Sequence, residues 1–265
     1  MTIKTKPSPI SNFNSILEKD YEDLNTKNMY KYKKQIINIY KNFGSNLNPG
    51  IRYAFQKISK KTEFLILGIN PSNSYQRFKN VLKNSIHKGR LEKVIYDQKS
   101  YDNFLSNEDN EDDITLLKKL AHKHHPHFNK HTDFAHLLDI YNFEFFDLFP
   151  IWMIDQDKLL YELENNLKLK NKIMTAFDEL IYRLPNLKGL LFFNAKAGDY
   201  YFKHKQIQPK IISVKLDTQQ NNSNLKKAEI SLENRVIKIL CFGIGGQTFG
   251  KKQREELALK SKRFI

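Results

Sequence analysis

Three clusters of polar residues in this chain have types and spacing that chemistry can use. The first is Leu67-Gly-Ile-Asn-Pro-Ser72, where an apolar run from Phe64 to Ile69 stops at small polar residues and a proline. Pro71 fixes a turn beside Asn70, and the carboxyl ends of strands in open α/β sheets are where ligands bind. An amide held there can orient a water or a ligand, although the same composition suits an ordinary strand-to-loop turn. The second cluster is His122-Lys-His-His-Pro-His127, followed by His131 and His136. Imidazoles shuttle protons near neutral pH or bind metal. The spacing fits no tight four-ligand zinc pattern and no cysteine is near, so no metal is expected. Pro126 argues against a regular helix presenting the cluster, which leaves a loop that touches phosphate or carries a proton. The third is Gly243-Ile-Gly-Gly-Gln-Thr-Phe-Gly250, whose glycines let backbone N–H groups approach an anion closely. It lacks the Gly-Lys-Ser/Thr of a P-loop, and no cofactor is expected.

These residues need a frame. Apolar runs at 63–69, 142–148, 188–194 and 236–242 read as strands, with helical spacing between them. The expectation is an α/β fold: a three-layer α/β/α sandwich around a central four-stranded, mainly parallel sheet. Residues 1–50 read as an N-terminal helical extension, from apolar spacing over Phe13–Phe43, and 51–265 as the α/β domain. Asp155–Tyr182 reads as one long amphipathic helix, and Ala195–His204 as a helix after the third strand. Acidic Asn107–Asp113 reads as a solvated helix start. Gln208–Leu225 is polar and irregular, a surface excursion or hairpin.

Forty-four Lys and Arg against 29 Asp and Glu give a net charge of +15, the electrostatic footprint of a phosphate-backbone partner. A lysine-, asparagine- and isoleucine-rich composition throughout is the rival explanation. One cysteine, Cys241, excludes a disulfide framework or a four-cysteine cluster. No apolar run approaches the roughly 20 residues of a membrane span, and nothing resembles a signal peptide. A cytoplasmic monomer with DNA as partner, and no membrane contact, is the expectation.

The Leu67–Ser72 stretch resembles the first motif of the uracil-DNA glycosylase superfamily, in its mismatch-specific and single-strand-selective branches, which carry Gly-x-Asn-Pro at the end of the first strand. The resemblance implies a three-layer sandwich that flips a nucleotide out of DNA and cuts its glycosidic bond with water. It implies that Asn70 positions that water, that Gly68, Ile69, Pro71 and Ser72 line the substrate pocket, and that Tyr75 or Phe78 stacks on the flipped base. The Asn194-Ala-Lys-Ala-Gly198 turn is similar to the family's third strand end, placing Asn194 at the substrate and Lys196 at a phosphate; a plain helix cap at Asn194 is the equal alternative. The last strand and glycine-rich loop stand where the family has its second motif, implying DNA contacts from Gly245, Gly246, Gln247, Thr248, Phe249 and Lys251.

Two departures from the family pattern bear on the base. Where the family places an asparagine that reads uracil, this chain has Asp147. A carboxylate offers no donor to O4 of uracil, but accepts from the N4 amino group of cytosine. The tyrosine that blocks substituents at C5 in strict uracil enzymes is here Ser72. Together they point to cytosine modified at C5, of the kind found in phage DNA. The second motif lacks the family's histidine and proline, which leaves open how the departing base is stabilised. The rivals are a non-catalytic nucleic-acid binder of the same fold and a small-molecule nucleotide hydrolase.

Overall fold

The structure, a computed structural model, describes residues 27–39, 58–59, 61–69, 75–83, 88–106, 117, 120, 126–150, 156–216, 223–232, 234–242, 244 and 250–265. A helix over 27–39 (α1) precedes strand β1 (Phe64–Gly68). Three short helices follow: α2 (Tyr75–Leu82), α3 (Lys88–Leu91) and α4 (Gln98–Ser106). Next come α5 (Pro126–Leu137), β2 (Phe143–Asp147), α6 (Gln156–Asn165) and α7 (Leu167–Arg183). The chain continues through β3 (Gly189–Phe192), α8 (Ala195–Lys205), β4 (Lys210–Val214), β5 (Ser223–Leu232), β6 (Arg235–Cys241) and α9 (Lys251–Ser261).

The fold is α/β, and all four strands read from the apolar runs are present. They form the parallel part of the sheet, in the order β2-β1-β3-β6. The sheet itself is larger than expected. Among the described residues it has six strands, because β5 pairs antiparallel with β6 and β4 antiparallel with β5. The four-stranded expectation fails there for a physical reason. A parallel strand buried on both faces is apolar throughout, whereas β5 is solvated on one face and alternates Lys, Glu and Ser with Leu, Ala and Ile. The excursion read at 208–225 thus holds β4 and the start of β5, its hairpin alternative.

Alternation along the strands feeds two cores. Leu65, Leu67 and Ile69 join Phe146, Leu190, Phe192, Ile237 and Ile239 on one face, covered by α1, α6, α7 and α8. Phe64 and Ile66 join Phe145, Leu191, Leu240 and Phe242 on the other, covered by α5 and α9. Met29, Tyr32 and Ile36 of α1 are buried in the first cluster. A third cluster holds α2–α4 together around Phe78, Leu82, Tyr101 and Phe104.

Two helix readings are corrected. The single helix over 155–182 is two, because the Asn166 side chain accepts a hydrogen bond from Leu169 N (3.1 Å) and starts α7 afresh. Pro126 does not prevent a helix; it begins one. At the first helical position its missing N–H costs nothing and its fixed φ suits the helix, so α5 carries His127, His131 and His136. Among the described residues no helix is long and apolar enough to cross a membrane.

Candidate functional site

The ends of β1 and β2 lie side by side. Their parallel register sets Gly68 opposite Asp147. Pairing continues past both strand ends, with Leu148 N donating to Gly68 O (3.0 Å) and Phe149 N to Ile69 O (2.9 Å). The backbone is therefore fixed up to Ile69, which is buried, one residue before Asn70. The glycine at 68 leaves room for the carboxylate: a Cβ there would lie 2.6 Å from Asp147 Oδ1, so the Asp147 side chain would have to shift. The carboxylate occupies the space that a side chain on β1 would fill. Register also puts Asp147 on the face of Ile66 and Phe145, the α5–α9 side.

That side carries the histidines. His131 is 7% exposed, its ring 4.2 Å from His127, 5.0 Å from Phe193 and 6.4 Å from Phe145. Phe128 packs edge-on to Phe145 at 4.9 Å. Burial, then the charges of His127, Arg254 and Lys130, push the His131 imidazole down to about 3, so it is neutral at pH 7. His127, one turn earlier, is exposed. Among the described residues no group of three or more His, Cys, Asp or Glu could hold a metal ion.

On the opposite face Tyr32 is buried, with its ring 5.8 Å from Phe146. Burial and then the Asp147 charge push its hydroxyl far above the ordinary tyrosine range. The helix α1 thus backs the end of β2 at the residue next to Asp147.

The remaining expected site residues fall in four groups. Asn70, Pro71, Ser72, Gly245, Gly246, Gln247, Thr248 and Phe249 lie outside the described residues, as do His122, His124, His125 and the acidic stretch 107–113. Tyr75 and Phe78 sit on α2, where Phe78 is buried and stacked on Tyr101 at 4.9 Å, so its ring serves the small core. Tyr75 is half-buried, 6.2 Å from Phe78. Asn194 is the N-cap of α8, its side chain accepting from Lys196 N (3.0 Å), while Lys196 Nζ is 2.7 Å from Asp157 Oδ1. Lys251 is exposed at the first turn of α9, 3.8 Å from Glu255.

Sequence reasoning passed over Arg254, which is 9% exposed beside His131. The signal was spacing. Arg254, Leu257, Ala258 and Ser261 repeat at intervals of three and four, and all four are buried on one face of α9. Compared with protein-family models, curated proteins and solved structures, the chain matches none.

Proposed function

We propose that this chain is a monofunctional DNA glycosylase that flips a pyrimidine and hydrolyses its N-glycosidic bond. The preferred base is a cytosine carrying a substituent at C5 rather than plain uracil. The observation that supports this most is the pairing of strand ends: Gly68, which opens the Gly-x-Asn-Pro stretch, stands opposite Asp147 and makes room for that carboxylate.

In this reading Asn70 orients a water toward the sugar carbon. Asp147 accepts from the N4 amino group of the flipped base, as a carboxylate reads cytosine. Uracil meets the same carboxylate with O4, acceptor against acceptor. An unmatched buried pair costs about 1–3 kcal/mol, enough for a roughly five- to 150-fold preference. Water attacks the sugar carbon, the bond to the base nitrogen breaks, and the bonding pair leaves with the base. The positive charge that develops on the sugar is stabilised by DNA phosphates and protein dipoles. His127, exposed and carried by α5 on the same face as Asp147, replaces the missing second-motif histidine as a donor to the departing base. The partner is DNA, drawn by the +15 charge, and the protein acts as a cytoplasmic monomer defending against phage DNA.

The absent second-motif histidine and proline favour one rival, a non-catalytic DNA binder of the same architecture. Mass spectrometry of bases freed from a panel of natural and modified DNAs separates the two. The glycosylase releases a C5-modified cytosine, and Asn70→Ala stops release while keeping DNA affinity. Release of uracil alone overturns the choice of base. No release from any DNA, with binding intact, leaves the binder.

A further inference from the structure

The α2–α4 lobe has its own small core and its own cavity, of about 530 Å³, which the chemistry proposed for Asp147 and Asn70 does not use. That volume is in the range that holds small organic ligands. It is lined by Val94, Tyr96, Lys99, Asn103 and Phe104, together with the capping pair Asp97 and Ser100. Tyr96 is 68% exposed and Val94 53%, while Ile95 and Phe104 are buried beneath them.

The exposed ring stands on a fixed backbone. Ser100 Oγ accepts from the N–H groups of both Tyr96 and Asp97 at 2.9 Å, and Asp97 Oδ1 accepts from Ser100 N at 2.7 Å. The acid at this cavity is therefore committed to the start of α4. The lobe from Tyr75 to Ser106 holds seven Lys and Arg against three Asp and Glu, so its field attracts anions. It also starts close after Asn70, and Tyr75 N donates to Gln98 Oε1 (2.9 Å), which ties the first turn of α2 to the first turn of α4.

We propose that this cavity is a stacking platform for one unpaired base of a single-stranded nucleic acid, outside the site of Asn70 and Asp147. Tyr96 offers the ring face, the Asn103 amide a donor and an acceptor for the base edge, and Lys99 a contact to the adjoining phosphate. An aromatic face with an amide and a cation suits a nucleotide better than an acidic peptide, which has no ring to stack. The proposal rests on the reading that DNA is the partner.

The test is fluorescence anisotropy with a fluorescein-labelled single strand, the same strand paired with its complement, and an acidic peptide. Stacking of one base predicts that Tyr96→Ala weakens single-strand binding about 5- to 100-fold. Duplex binding should change less than about two-fold, and Tyr96→Trp should retain single-strand affinity. Thermal unfolding should be unmoved, since the ring is exposed. Unchanged single-strand binding by Tyr96→Ala, in a wild type that binds DNA, overturns the platform alone. Peptide binding that depends on Tyr96 while the single strand ignores it does the same. A wild type that binds no nucleic acid overturns the platform and the DNA reading together.

Discussion

The two faces of the sheet use polar residues in opposite ways. On the α6–α8 face, polar groups answer one another. Asp178 accepts from Tyr201 Oη (3.1 Å) and Lys205 Nζ (3.0 Å), with His204 Nε2 at 3.1 Å, and so ties α7 to α8. Glu164 likewise accepts from Tyr200 Oη (2.7 Å) and Lys170 Nζ (3.2 Å). On the α5–α9 face, packing is aromatic, with the neutral His131 among phenylalanine rings and beside a nearly buried arginine. The Asp147 carboxylate stands at the edge of that face, over a glycine. The first arrangement joins helices; the second holds a strand-end carboxylate against a fixed, largely apolar wall. That difference is why the functional reading is placed on the second face.

Gly68→Ala should break the second face with the largest effect. Its Cβ would displace Asp147, whose carboxylate oxygen is 2.6 Å away. Overpacking of this kind costs about 1–3 kcal/mol, and base release should fall at least as far as in Asp147→Ala. The double variant Gly68→Ala, Asp147→Ala should be more stable than the sum of the two single changes, because the clash is gone. Strict additivity in chemical denaturation would mean that the carboxylate does not need the glycine.

Asp178→Ala is the matching change on the first face. Burial pulls this carboxyl upward, but hydrogen bonds from His204 and Lys205 outweigh it and hold it below the ordinary range. Removing it leaves the nearly buried Tyr201 hydroxyl without its acceptor, at a cost of about 1–3 kcal/mol. Base release per folded molecule should be unchanged. A loss of activity without a loss of stability would erase the distinction between the faces.

The same contrast explains what could be read from the sequence. The four parallel strands were legible because each carries a buried apolar stretch, over 64–67 in β1, 145–146 in β2, 189–192 in β3 and 239–241 in β6. The hairpin β4–β5 was legible only as one of two alternatives over 208–225, and its pairing with β6 not at all, since one solvated face breaks the run with lysines. Asn166 looks like one polar residue in a continuing leucine period; only its side-chain bond to Leu169 N shows the break. Asp147 was reached through a resemblance, and the structure adds the physical reason for Gly68 opposite it. Arg254 was passed over because a charge reads as surface until the burial of Leu257 and Ala258 fixes the face.

His131 gives the second face a pH signature. Its folded value of about 3 lies below the unfolded value near 6.5, so the unfolded chain binds more protons between the two. Stability from the neutral ring is complete above about 6.5 and is lost as pH falls toward 3, at no more than about 1.4 kcal/mol per pH unit. Urea denaturation between pH 7 and 4.5 should show that slope, and His131→Phe should flatten it. An unchanged slope in the variant would assign the acid sensitivity to other groups.

The smallest effect is expected where the faces meet solvent, at Lys196 and Asp157. Both side chains are mostly exposed, at 62% and 77%, so Lys196→Ala should cost less than about 1 kcal/mol of stability. Its information lies in DNA binding. If the ammonium serves only Asp157, the salt dependence of affinity is untouched by the change. If it serves a phosphate, the slope of log K against log salt falls by about one. Asp157→Ala then discriminates further: it frees the ammonium, so affinity should rise at low salt, and the gain should vanish when Lys196→Ala is added. A rise that survives the second change would belong to the loss of a negative charge near DNA, not to Lys196, and would leave the α8 N-terminus a structural cap.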